Sequence, residues 1–392
     1  MLESQTLSVT AESKKRFHTD QVLTVAGAHL VHDVFSSFLA PLLPLLIEKL
    51  GFSLALAGSL SFFQRIPSVV NPFIGIFADR VDLRPLIILA PGVTAVAMSL
   101  LGVAPSYAVL ALLLLAAGLS SAALHVPGPV LVAQVSGDRV GKGMSFWMTG
   151  GELARTLGPL FVVGAVSLWT LEGSWPMMAV GVAASVVIYV RIKDVAIRPP
   201  SQSHGSLRQT WRTMRRVLLP LGGIALLRAG MQAALTNFLP TYMTARGQSF
   251  ESGGATLALL QLAGAAGAFA TGTLSDRLGR RRILLASMST APLCMLVFVN
   301  VGGWLLVPLL VLVGLTFISS TPVVLAIVQE HASEHPATAN GLYMGISFVI
   351  SSVSPTLLGW LADLTSLQTA FACAALLALA AVPLIYFLPR KH

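Results

Sequence analysis

The feature that most constrains this chain is a succession of apolar stretches, each near the length that crosses a bilayer as a helix. A helix needs about 20 apolar residues to span the hydrocarbon core. Twelve such stretches are found, at roughly 21–47, 54–78, 85–104, 107–135, 142–169, 172–192, 217–244, 252–275, 283–300, 303–329, 338–362 and 367–388. They are apolar throughout rather than in strict alternation, which predicts helices and not the strands of a barrel. The chain is 55% hydrophobic and only 10% charged, where soluble domains carry about 25% charged residues. An all-α integral membrane protein of twelve transmembrane helices is the expected fold class.

The net charge of +9 invites a nucleic-acid reading, which the placement of the charge rejects. Assigning both termini to the cytoplasm puts 20 of the 25 Lys and Arg in the tails and in alternate loops on that side. Only Lys49 and Arg246 fall on the other side, and Arg65, Arg155 and Arg228 lie inside spans. That bias is the positive-inside pattern. The polar first twenty residues, with Lys14, Lys15 and Arg16, read as a cytoplasmic tail rather than a cleaved signal. A bacterial-type inner membrane is the expected location. Residues 193–216, with Pro199-Pro200 and a run of arginines, read as a cytoplasmic linker joining six-helix halves at 21–192 and 217–390.

The halves repeat one another. Gly75-Ile-Phe-Ala-Asp79-Arg80-Val-Asp82-Leu-Arg84 has a second copy at Gly272-Thr-Leu-Ser-Asp276-Arg277-Leu-Gly279-Arg280. The pairs Pro44/Pro240, Gly51/Gly247, Gly58/Gly254 and Pro159/Pro355 are each 196 positions apart. Parallel repeats of this kind belong to transporters whose halves rock about a central site.

With the doubled Gly-x-x-x-Asp-Arg loop, twelve spans and a basic central linker, the chain resembles the major facilitator superfamily over residues 20–390. Ala28-His29-Leu30 with Asp33, Leu119 to Pro127 with His125, and Leu157-Gly158-Pro159-Leu160 make it similar to the fosmidomycin-resistance branch. The resemblance implies the major facilitator fold and a role in drug efflux. It departs at Asp82, where the family's Gly is usual, at Val126 between His and Pro, and at Glu152 and Arg155.

Ionisable groups inside spans are costly and mark function. His29, His32, Asp33, Ser36 and Ser37 share one face of the first helix by spacing. A carboxylate in a poorly hydrated cavity takes up a proton more readily than one in water, which makes Asp33 a candidate coupling group. The alternative is a fixed ion pair with Arg65. Glu152 and His32 are the other candidates for proton coupling. Arg155, three residues from Glu152, either neutralises it or releases it when a substrate anion binds. His29, Arg65, His125, Arg155, Arg228, Gln232 and Gln261 are the candidate substrate contacts. Gly75, Asp79, Arg80, Arg84, Gly272, Asp276, Arg277 and Arg280 are the candidate gating residues of the loops.

The expected function is proton-coupled efflux of a small, anionic or amphiphilic drug-like compound by alternating access. A proton-coupled symporter importing an organic anion uses the same residues and is the competing reading. A membrane enzyme with a metal at His29, His32, Asp33 or His125 is a different class, against which the doubled loops argue. His29, His32 and Asp33 could hold a metal in principle, but no further ligand set is apparent, and a polar face is the expectation for such a trio on one helix. No enzyme chemistry, cofactor or metal is expected. Substrate, protons and bilayer are the expected partners, with no nucleic acid and a monomeric chain.

Overall fold

A computed structural model describes residues 16–70, 84–195, 207–332 and 336–389. Twelve helical elements follow one another: α1 (Thr19–Leu50), α2 (Leu54–Arg65), α3 (Arg84–Val103), α4 (Tyr107–Val135), α5 (Val140–Gly173) and α6 (Trp175–Ile192) in the first half. The second half holds α7 (Arg208–Ala245), α8 (Phe250–Leu278), α9 (Arg280–Phe298), α10 (Gly303–His331), α11 (Pro336–Leu364) and α12 (Leu367–Phe387). Eleven of these are long and apolar enough to cross a membrane. The second expected span, 54–78, is described only to Val70, through α2 and a 3-10 turn at Ile66–Val70. The seventh begins earlier than its apolar stretch, because helix already starts at Leu207 within the basic segment expected as linker.

Four helices are broken near mid-length: α1 at Ser37–Phe38, α4 at Val126, α7 through a π turn at Ala234–Phe238, and α10 at Ile318–Ser319. Each break has a proline as its cause. Pro41, Pro240 and Pro322 cannot donate to the carbonyls of Ser37, Thr236 and Ile318 four residues back, and their rings press on those carbonyls. Pro127 likewise leaves the Ala123 carbonyl four residues back without a donor, while Val126 keeps helical φ and ψ of −80° and −56°. Hydroxyls take up carbonyls at the breaks, Ser37 Oγ to Val34 O at 2.7 Å and Thr236 Oγ1 to Gln232 O at 2.9 Å. These are the first and fourth helices of each half, and their breaks face the centre of the bundle.

The repeat is visible in the turns. Gly51 and Gly247 both adopt left-handed φ, 67° and 81°, and end their helices. Two residues on, Ser53 and Ser249 each cap the next helix by accepting from the amides of Leu56 and Ser252. Lys49 and Arg246, two residues before Gly51 and one residue before Gly247, tie down the neighbouring segments, Lys49 Nζ to Glu172 at 2.9 Å and Arg246 Nη2 to Val301 O at 2.7 Å.

The core is divided unevenly along the bundle. Toward the end that carries Leu54 and Asp363 (the distal end), one apolar cluster runs through both halves without interruption. Toward the end that carries Thr19 and Leu388 (the basal end), there are two clusters, one around Val25, Val132 and Ile188 and the other around Leu218, Ile283 and Val328. The halves are fused at one end and separate at the other.

Candidate functional site

A cavity of about 720 Å³ lies between the halves. Its wall comes from α1, α2, α4 and α5 on one side and from α7, α8, α10 and α11 on the other. Of the residues singled out in the sequence for coupling or substrate contact, Asp33, Arg65, His125, Arg155, Gln232 and Gln261 line it, with Ser36 and Ser37 from the polar face of the first helix.

Asp33 sits among three imidazoles. His29 Nε2 lies 3.2 Å from its Oδ2, His32 Nδ1 lies 2.8 Å from Oδ1, and His125 Nε2 from α4 lies 3.5 Å from Oδ1. His29 and His125 approach each other at 3.2 Å through their Nε2 atoms. His29 also stacks on Trp147 of α5, with ring centroids 3.8 Å apart. The spacing that placed His29, His32 and Asp33 on one face therefore found half of the cluster. His125, Trp147 and Ser121 complete it from other helices.

The tautomers follow from the backbone. His29 Nδ1 is 2.9 Å from the Trp147 carbonyl, and His125 Nδ1 is 2.9 Å from the Ser121 carbonyl. A carbonyl only accepts, so each Nδ1 carries the hydrogen and each neutral ring turns the lone pair of Nε2 inward. Two lone pairs and a carboxylate then face one another, a repulsive arrangement that a single cation between them converts into attraction. Room for the cluster comes from Gly151, where a Cβ would stand 2.8 Å from His29 Cε1 and 3.5 Å from Asp33 Oδ2.

The fixed Asp33–Arg65 pair considered from sequence does not form, because the histidines hold the carboxylate. Arg65 instead reaches across the cavity to Ser351 Oγ of α11 at 3.3 Å. Arg155 is on the wall with its side chain 52% exposed, bonded to Glu152 at 3.1 Å. Glu152 itself stands off the cavity lining, as do His29 and His32, which lie buried behind Asp33. Arg228 departs furthest from its expected place as a substrate contact. It is buried in the second half, its guanidinium over the Phe317 ring at 4.5 Å and Nη2 donating to the Phe317 carbonyl at 3.2 Å. Polar residues also join the halves at mid-depth, where Asn237 Nδ2 donates to Ser61 Oγ.

Of the two repeated loops, Gly75, Asp79 and Arg80 lie outside the described residues. Arg84 donates to the Lys193 carbonyl at 2.5 Å, tying α3 to the end of α6. In the second copy, Arg280 joins Asp276 at 2.5 Å and Glu330 of α10 at 3.1 Å, while Arg277 is exposed. Backbone helix continues through Gly272. The bridge holds α8, α9 and α10 of one half together at the basal end.

Comparison with known proteins agrees with this architecture. A model of the Major Facilitator Superfamily matches residues 25–355. The uncharacterized MFS-type transporter YfnC of Bacillus subtilis (strain 168) is 26% identical over 95% of this chain and 93% of its own. The fosmidomycin resistance protein of Escherichia coli (strain K12) is 22% identical over 94% and 92%. Among solved structures, the nucleoside transporter NupG superposes with a TM-score of 0.74 at 15% identity, covering 95% of this chain and all of that one. A bacterial homologue of the human lysosomal transporter Spinster, inward-facing and occupied, gives 0.76 at 13% identity over 93% and 94%. Both structures share the fold.

Proposed function

We propose that this chain, which belongs to the Major Facilitator Superfamily, is a secondary active transporter that exports a small anionic or amphiphilic compound in exchange for protons. The observation that carries the reading is the uneven core, one cluster across both halves at the distal end and two separate clusters at the basal end, with a polar cavity at the junction. Such an arrangement supports alternating access, in which the halves rock about a fixed central site. With the basic loops on the cytoplasmic side, the basal end faces the cytoplasm and this state loads from within. The linker at 193–216 tethers halves that move as units, and the Arg280 bridge keeps the second of them rigid.

Arg65 and Arg155 supply positive charge for a phosphonate or carboxylate, with Gln232 and Gln261 as neutral contacts on the far wall. The proton resides between His29, Asp33 and His125, where the geometry calls for a cation. Asp33 and His125 open onto the same cavity as the arginines, so each swing exposes both sites to one side of an inner membrane. Export as the direction follows the resistance protein among the relatives, and fosmidomycin is the first compound to test.

Proteoliposomes preloaded with substrate and a pH-sensitive dye decide the matter. On dilution into substrate-free buffer, antiport acidifies the lumen as substrate leaves. Alkalinisation would establish symport in its place, and substrate efflux without any pH change would overturn proton coupling.

A further inference from the structure

We propose that His29, Asp33 and His125 form a binding site for a divalent transition-metal ion of the zinc class. The inference stands on the spacing of three ligand residues, with one Asp33 oxygen turned to each histidine. His29 Nε2 to Asp33 Oδ2 is 3.2 Å, His29 Nε2 to His125 Nε2 is 3.2 Å, and His125 Nε2 to Asp33 Oδ1 is 3.5 Å. A tetrahedral ion with bonds of about 2.0–2.1 Å to nitrogen and oxygen separates its ligands by about 3.3–3.4 Å. The His29–His125 separation and the separation of each of these histidines from an Asp33 oxygen match adjacent corners of such a tetrahedron, and one ligand atom from each of the three residues lies within 4.8 Å of the other two.

Orientation supports the spacing. Both imidazoles spend their Nδ1 hydrogens on backbone carbonyls, Trp147 O and Ser121 O, which is the outer-shell pattern that aims Nε2 at a metal and raises its basicity. His32 Nδ1, 2.8 Å from Asp33 Oδ1, fixes the carboxylate in the same way. Two imidazoles and one carboxylate suit zinc, cobalt or nickel better than magnesium or calcium, which prefer all-oxygen shells. Asp33 and His125 line the cavity, so the fourth corner of the tetrahedron is directed to a site that water or an anionic cargo group can reach.

An ion held there displaces the proton from the cluster and blocks proton-coupled turnover. That consequence rests on the transport reading above, whereas binding does not.

Tag-free protein, stripped with chelator in detergent, is titrated with Co²⁺ and followed by visible absorption, then by displacement with Zn²⁺. One equivalent giving the intense bands of a tetrahedral centre is expected. His125→Ala should weaken binding by at least about tenfold, the lower range for disturbing a metal's surroundings. Gly151→Ala, which keeps every ligand but crowds His29, should weaken it too, and His331→Ala should leave it unchanged. Thermal unfolding of each variant separates a lost site from a lost fold. Absence of binding, the weak spectrum of an octahedral ion, or equal affinity in folded His125→Ala would overturn the site.

Discussion

The carbonyl of Pro355 in α11 occupies the space that a side chain on Gly58 of α2 would need. A looser counterpart lies in the other half of the seam, where a side chain on Gly254 of α8 would meet the Val163 side chain and stand 3.7 Å from the Pro159 carbonyl of α5. The two glycines are 196 positions apart, and so are the two prolines. The distal seam is thus built twice from one pattern, glycine from one half against the proline turn of the other. Small residues at such crossings let backbones meet where lipid supplies no hydrophobic drive between helices.

Gly58→Val therefore attacks the closed distal end without touching the cavity. Inserting side-chain volume into a packed contact costs about 1–3 kcal/mol, enough to shift the balance of states by roughly fivefold or more. Thiol labelling of a cysteine placed at Ala55 should rise accordingly, while substrate binding from the basal side falls. Unchanged labelling would show that the seam does not hold that end shut.

Asp363 offers a second handle on the same end. Its two carboxylate oxygens accept from the amides of Leu54 and Ala55 at 2.9 and 2.8 Å, so α11 caps the start of α2. A carboxylate at a helix N-terminus is worth about 0.3–1 kcal/mol when exposed. Asp363→Ala should loosen the distal end by a few-fold and Asp363→Asn by less, read by the same labelling. An Asn variant weaker than the Ala variant would contradict capping as the cause.

In the cavity, Arg155 and its partner separate cleanly. Arg155→Gln should weaken binding of an anionic substrate by about 1.5–3 kcal/mol, the range for a hydrogen bond to a charged group, or roughly tenfold to a hundredfold. Glu152→Gln should change affinity no more than a few-fold, since the exposed pair contributes about 0–1 kcal/mol. Calorimetry with a phosphonate and with a neutral analogue checks both. Equal losses for the two compounds would remove Arg155 from charge recognition.

Much of this was legible beforehand. Apolar length gave the spans, and the Gly and Pro pairs marked the repeat, because both report local backbone demands that sequence states directly. The face carrying His29, His32 and Asp33 was legible for the same reason. Which helix meets that face was not, since His125 arrives from 96 residues away, and spacing within a helix is silent on its neighbours. Arg228 illustrates the converse. A charge in a span is expected to face a cavity, yet an aromatic ring and a carbonyl bared near the α10 break satisfy it inside the second half. Glu152 lies one step off the lining, a difference of helix rotation that periodicity does not resolve.

The measurement that tests the centre of this mechanism compares wild type with Asp33→Asn in two assays on the same proteoliposomes. Asparagine keeps the shape of the carboxylate but not its charge, so the cluster loses its reason to hold a proton. The variant should retain exchange of labelled for unlabelled substrate, which needs only the rocking halves and the arginines, and should lose substrate efflux driven by a pH gradient. Gradient-driven efflux persisting at the wild-type rate would place the coupling proton elsewhere and contradict the role of the His–Asp cluster.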